Sequence, residues 1–231
     1  MTAGARYAIY FAPDRQSRLW AFGSSVVGID AETGQDVRQP AIAGLSAADF
    51  SDRTADPRRY GFHATLKPPF SLAEGMSVDE LLAAVHAFAL TRAPFTVPQL
   101  DVMAIGAFLA LVPSAPSPEL HALADDCVRS FDGFRAPLDP ADRLRRLKSP
   151  LTPRQIAYLD TWGYPYVFEE FRFHMTLTGR LHHDERDTAR LALAALYRGI
   201  AEPMPVGAIA VFQQSARDQR FQVLTRIPLG A

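Results

Sequence analysis

The chain is predicted to be α+β, a bilobal pseudo-twofold arrangement of two antiparallel sheets with outer helices and a central cleft. Three observations predict it. The segment Tyr60-Gly61-Phe62-His63-Ala64-Thr65-Leu66-Lys67 has a second version, Phe171-Arg172-Phe173-His174-Met175-Thr176-Leu177-Thr178, and both read Phe-His-x-Thr-Leu. After each copy comes the same order of signals: a helix, then two strands. A repeat this long is one duplicated supersecondary unit, not a short-period solenoid. Side chains alternate along a strand. His63, Thr65 and Lys67 are therefore expected on one face, and His174, Thr176 and Thr178 on the equivalent face. The apolar residues between them pack behind. Two such units about a twofold axis bring both polar faces to one cleft.

The elements follow in order. Tyr7-Ala8-Ile9-Tyr10-Phe11 reads as a first strand, aromatic and β-branched, ended by Pro13. Asp14 is the expected cap of a short helix through Phe22, stopped by Gly23. Residues 28–58 are rich in loop signals, with a turn at 30–34 and a boundary at Ala55-Asp56-Pro57. The first histidine strand is expected to end at Pro68-Pro69, because proline cannot donate to a ladder. Ser77-Val78-Asp79-Glu80 is a capping box for a helix with the stripe Leu81, Leu82, Val85, Phe88 and Ala89. Strands are expected over 95–105 and 108–112, with Gly106 turning between them. Ser117 caps the next helix, with Pro118 at its first position. Residues 133–170 read as a helical insert within a single bilobal domain spanning 1–231. Asp139-Pro140 and Thr152-Pro153 start its helices, the first carrying Arg143, Arg145, Arg146 and Lys148. Asp184 is the expected cap of a helix to about Arg198, and two strands, 206–213 and 221–227, close the chain.

Composition bounds the function. At 231 residues the chain can bury a sizeable core. A formal net charge of −1 argues against coating long nucleic acid by bulk charge. With Cys127 the one cysteine, there is no intramolecular disulfide, and no Cys/His spacing suits zinc. The start lacks a signal-peptide core, and no apolar run approaches the roughly 20 residues of a membrane span. The expectation is a cytoplasmic monomer that needs no cofactor or metal and does not engage a membrane.

Two histidines flanking one phosphoryl group suit acid/base work near neutral pH, where one imidazole can be neutral and the other protonated. One takes a proton from an attacking water and the other gives a proton to the departing alkoxide. Thr65 and Thr176 are placed to donate hydrogen bonds to non-bridging oxygens, and Lys67 to add positive charge.

The motifs Phe62-His63-Ala64-Thr65-Leu66 and Phe173-His174-Met175-Thr176-Leu177 resemble the paired His-x-Thr/Ser signatures of the two-histidine (2H) phosphoesterase superfamily, with its RNA ligase-like and cyclic phosphodiesterase members. Arg6-Tyr7-Ala8-Ile9-Tyr10-Phe11-Ala12-Pro13, residues 55–63 and Trp162-Gly163-Tyr164-Pro165-Tyr166 resemble a branch often encoded near genes for phosphonate use. The resemblance implies His63 and His174 as catalytic residues and Thr65 and Thr176 as phosphate binders. It implies a small phosphorylated substrate: a 2′,3′-cyclic nucleotide or a ribose cyclic phosphate. RNA-end processing or ligation, with RNA ends as partner, is the alternative enzymatic reading, and a non-catalytic sensor of a phosphorylated metabolite is the third.

Strand parity adds Arg172 to the candidate substrate contacts, and Tyr60 precedes the first histidine strand. Arg58 and Arg59 are further candidates for a second phosphate. The basic run 143–148 is either a solvated helix face or a lid over an anionic substrate. Tyr7 and Tyr10 are expected in the core, with stacking on a base as the alternative, and Trp162, Tyr164 and Tyr166 at core edges or at the wall of the cleft.

Overall fold

The computed structural model describes residues 4–230. Its centre is a seven-stranded, wholly antiparallel sheet. Strands β1 (Arg6–Phe11) and β4 (Ala64–Ser71) lie side by side within it. On the far side of β1 comes the hairpin β10 (Ala208–Gln214) and β11 (Gln222–Pro228). On the far side of β4 come the short β8 (Met175–Thr176), then β7 (Phe108–Pro113) and β6 (Leu100–Ile105). The two halves join at one residue pair, Ala64 opposite Met175.

The duplicated units interlock. The hairpin that follows the first motif, β6–β7, pairs with the strand of the second motif, β8. The hairpin that follows the second motif, β10–β11, sits one strand away from β4, across β1. Helix α4 (Val78–Leu90) contacts β10 and β11, and helix α8 (His183–Arg198) contacts β6 and β7. Each unit thus covers the other's hairpin. Short strands β5 (Phe95–Val97) and β9 (Met204–Val206) pair across the same seam. Pro98 divides what the sequence suggests is one strand into β5 and β6.

One large core lies on the helical side of the sheet. Leu81 and Val85 of α4, Leu123 and Cys127 of α5 (Pro118–Ser130) and Leu193 of α8 meet Ile9, Phe62, Leu66, Leu111 and Met175 there. A second cluster on the opposite side gathers Tyr10, Phe212 and Phe221. The capping box read at Ser77 forms, as do the caps at Ser117 and Asp139, and the helix start read at Thr152 is made by a capping box with Gln155. These are local signals, and local geometry realises them.

Four boundaries differ from the reading. Helix α1 (Arg18–Val27) is capped by Ser17 and ends at Gly28, so Gly23 lies inside it. A Cβ at Gly23 would come 2.0 Å from Phe62 Cδ1. The glycine is there to admit that ring, a tertiary demand outside any local pattern. Within 28–58 the chain forms two short strands, β2 (Ile29–Asp30) and β3 (Gln35–Asp36), and two helices, α2 (Ala47–Arg53) and α3 (Ala55–Arg58), so Asp56-Pro57 opens a helix. Helix α8 takes His182 as its N-cap instead of Asp184, and Glu185 accepts from the His182 N–H at 2.9 Å. Strand β4 runs through Pro68-Pro69 to Ser71. It does so because β8 pairs with it only at Ala64, so beyond that point no neighbour on that side needs a donor.

Gly23→Ala tests the first of these. It should destabilise the fold by about 1–3 kcal/mol through overpacking against Phe62, read as a lower urea midpoint. An unchanged midpoint would mean that the ring moves aside freely.

Candidate active site

Pairing of Ala64 with Met175 sets the site. Carried one residue either way, that antiparallel register puts His63 opposite Thr176 and Thr65 opposite His174. Each histidine thus faces the other motif's threonine, and the two imidazoles sit on a diagonal of about 7–8 Å between backbones. Ala64 and Met175 are buried toward the helices, while His63, Thr65, His174 and Thr176 are half-buried on the other face.

Both imidazoles are held alike. His63 Nδ1 lies 3.0 Å from the Gly61 carbonyl, and His174 Nδ1 lies 2.8 Å from the Arg172 carbonyl. A carbonyl only accepts, so each neutral ring carries its proton on Nδ1 and presents a bare Nε2. For His63 the Thr65 hydroxyl donates to that Nε2 at 3.3 Å. Gly61 has φ +74°, and the space its Cβ would need is filled by Ala31 Cβ at 2.5 Å, so only glycine aims this carbonyl. The His63 ring also stacks on Tyr10, with centroids 3.8 Å apart and planes 18° apart. Phe108 lies 5.8 Å from the His174 ring.

Burial dominates the titration of both rings. It pushes His63 down to about 4, against the Gly61 hydrogen bond, which raises it, while nearby His174 lowers it further. His174 is also lowered by burial, opposed by its bond to the Arg172 carbonyl. Without a bound anion, both are neutral bases at pH 7.

Two adjoining cavities open here. One, about 710 Å³, is lined by His63, Thr65, Thr176, Tyr60 and Tyr10. The other, about 500 Å³, is lined by His174, Thr65, Arg172 and apolar residues of α5 and the 167–171 segment. They share Thr65, Phe108, Tyr164 and Tyr166 as walls. The second cavity occupies the wedge where β4 parts from β8 beyond the single ladder pair. Helices α6 (Pro140–Leu147) and α7 (Pro153–Trp162) lie in the expected insert and contribute Arg146 and Gln155 to these walls.

Thr65, Thr176, Tyr60 and Arg172 therefore stand around the histidines, Tyr60 at 6.3 Å from the His63 ring. Lys67 does not. It is 1% exposed and donates to the Val128 carbonyl at 3.1 Å and to Asp132 at 3.0 Å. The cause is a β-bulge. Tyr10 pairs with Thr65, but the next residue of β1, Ile9, pairs with Lys67, so Leu66 is the extra residue. Parity inverts after Thr65, and Lys67 turns to the helical side. Thr178 is also structural: its hydroxyl accepts from Leu109 N–H and donates to the Gly179 carbonyl. Arg58 bonds the Val27 carbonyl, Gln39 and Thr54 and is engaged within the fold. Phe108 was missed as a site residue, while Tyr10, weighed as core or as a stacking residue, is buried in the core and stacks on His63. Tyr10 reaches His63 because it pairs with Thr65 across the ladder, a register that β1 alone does not reveal. Among the described residues no group of three or more His, Cys, Asp or Glu could hold a metal ion, and no helix is long and apolar enough to cross a membrane.

The family model described as "Protein of unknown function (DUF1045)" matches residues 65–222, more than half of the chain and inclusive of Thr65, His174 and Thr176. The chain belongs to this family. It is 38% identical over 230 residues to a protein named ribose 1,5-bisphosphate phosphokinase PhnN from Janthinobacterium sp. (strain Marseille), covering 97% of this chain and 51% of that one. It is also 38% identical over 230 residues to the protein of the same name from Laribacter hongkongensis (strain HLHK9), covering 94% and 50%. The chain thus spans about half the length of the curated relatives it matches. Among solved structures, the crystal structure of E. coli LigT complexed with 3′-AMP is similar at 13% identity and TM-score 0.43, over 99% of this chain and all of that one.

Two outcomes follow from the burial. The unfolded chain binds more protons than the native one where His63 is charged only when unfolded, between its ordinary 6.5 and about 4. The stability involved is complete above pH 6.5 and is lost as pH falls through that window, about 3 kcal/mol for His63. Urea midpoints should drop more steeply there for the native chain than for His63→Asn, and parallel curves would refute the burial. Asp132→Ala strands the Lys67 ammonium and should cost about 3 kcal/mol of stability. Lys67→Met, which leaves Asp132 its contact with Arg135 at 2.8 Å, should cost less.

Proposed function

We propose that the chain is a phosphodiesterase of the two-histidine type, hydrolysing a small cyclic phosphodiester. One observation carries this reading: two bare Nε2 atoms, each fixed by an Nδ1–H bond to a carbonyl two residues back, face one another's threonines across adjacent strands. That pattern suits proton transfer at a phosphoryl group between them.

His63 is the base. Its imidazole is held down to about 4 and so stays neutral. Its Nε2 takes the proton of a water whose oxygen attacks phosphorus. The phosphorus–oxygen bond to the ring oxygen of the cyclic ester breaks, and His174, protonated at Nε2, gives its proton to that oxygen. An anionic substrate supplies the condition for this, since its charge raises the affinity of His174 for a proton. Thr65 releases His63 and, with Thr176, donates to the non-bridging oxygens as negative charge builds. The steps use no metal.

The relatives' printed name supports a ribose phosphate as the substrate class. Their printed name concerns ribose 1,5-bisphosphate, and they are about twice as long as the region matched here. A hydrolase opening a cyclic phosphate on a phosphorylated ribose yields a ribose bisphosphate. The five-membered ring that leaves the phosphate on carbon 1 when it opens joins carbon 1 to the neighbouring oxygen on carbon 2.

The test is hydrolysis of ribose 1,2-cyclic and nucleoside 2′,3′-cyclic phosphates followed by phosphorus NMR. His63→Ala and His174→Ala should each lower kcat by roughly 10²–10⁴-fold, and EDTA should leave the rate unchanged. The rate kcat/KM needs His63 neutral and His174 protonated, so it should rise with pH through about 4 and fall again below 6.5. The kcat optimum should lie higher, because bound substrate favours both protonated rings. Full turnover by either variant would rule the proposal out.

A further inference from the structure

The two cavities beside the histidines differ in charge. The His174 cavity holds Arg172 but also Asp125 and Glu170. The His63 cavity holds Arg146 and Arg180 against the single carboxylate of Asp56. An anionic substituent of the substrate is therefore drawn to the His63 side, toward α6.

Of the basic run on α6, the structure sets one residue apart. Arg143 is bonded to Asp160 at 2.6 Å and Arg145 to Asp142 at 2.9 Å, while Lys148 is exposed at the helix end. Arg146 is half-buried and lines the cleft, its guanidinium 4.8 Å over the Tyr164 ring. Its Nε is buried and, among the described residues, has no hydrogen-bond partner. A buried guanidinium N–H left unpaired is costly. Stacking on Tyr164 steadies the group without using its in-plane donors. A cavity of about 70 Å³ that Arg146 also lines has Arg6, Arg135, Arg145 and Arg217 in its walls against Asp139 and Asp142, which leaves net positive potential at the same end. The helix that carries Arg146 is anchored by Arg143 to α7 and by a 3.0 Å pair between Arg217 and Asp142.

We infer that Arg146 is the specificity residue of this cleft, binding a second phosphate on the substrate while the histidine pair acts on the cyclic one. The inference rests on the proposed function for its substrate but not for its test. A planar guanidinium with free donors fits phosphate oxygens bidentately, which a neutral hydroxyl in the same place does not reward. The substrate class narrows to a cyclic phosphodiester that carries a separate phosphomonoester.

The experiment compares ribose 1,2-cyclic phosphate with and without a 5-phosphate, for the intact chain and for Arg146→Ala and Arg146→Lys. The intact chain should prefer the 5-phosphorylated ester. In Arg146→Ala the ratio of the two kcat/KM values should fall roughly 10- to 100-fold, the worth of a charged hydrogen bond. Arg146→Lys should recover part of it, keeping charge but not the fork. A ratio unchanged in Arg146→Ala would overturn the inference. Should the intact chain turn over neither ester, the proposed hydrolysis fails, and calorimetry with ribose 1,5-bisphosphate still decides about Arg146. Binding weakened tenfold or more by Arg146→Ala supports the phosphate site, and equal binding, with thermal denaturation showing both proteins folded, refutes it.

Discussion

A single rung of the sheet, Ala64 against Met175, holds the account together. It is the only ladder pair between β4 and β8 among the described residues, and it sets which side chains face each other. A slip of β8 by one residue would send His174 into the helical core and bring Phe173 out, while β1 holds β4 in place. The packing of Phe62 against Gly23, and of Met175 in the same core, opposes that slip from behind. The interlocked hairpins oppose it from the flanks. The site is therefore built on strands whose register the whole core specifies, although the pairing at the site is minimal. That brevity also has a use, since the strands part beyond it and the cavity at His174 fills the wedge.

Burial does two kinds of work around this rung. At the histidines it removes water and leaves two neutral rings, each anchored at Nδ1 by a backbone carbonyl, with the Thr65 hydroxyl on His63 Nε2. A negative charge brought beside such rings raises their affinity for a proton. At Lys67 burial works against the charge, and Asp132 and the Val128 carbonyl offset it. The first arrangement leaves a bare nitrogen open to a cavity. The second satisfies its donors inside the protein, which is why one reads as chemistry and the other as architecture.

Much of this was legible in the residues. The Phe-His-x-Thr-Leu duplication identified both site strands, because a period of two and a repeated order of elements survive without coordinates. Helix starts at Ser77, Ser117, Asp139 and Thr152 were legible because a cap is made by residues three apart at most. What escaped depends on partners distant in sequence. The bulge at Leu66 arises where β4 meets β1, so simple alternation misplaced Lys67. Gly23 looked like a stop and is instead a socket for Phe62. Tyr10 is core, as expected, and the stacking of its ring beneath His63 is what the residues alone left open. Arg58 and Arg146 look alike in sequence, yet the fold engages the first and leaves the second facing the cleft.

Whether one anion is shared by two imidazoles and two hydroxyls is decided by a crystal structure of the chain soaked in phosphate. One phosphate is expected between β4 and β8, within hydrogen-bond distance of His63 Nε2, His174 Nε2, Thr65 Oγ1 and Thr176 Oγ1, with both Nδ1 atoms still bonded to their carbonyls. A phosphate that meets only one histidine, or rings turned so that their Nε2 atoms point apart, would contradict it.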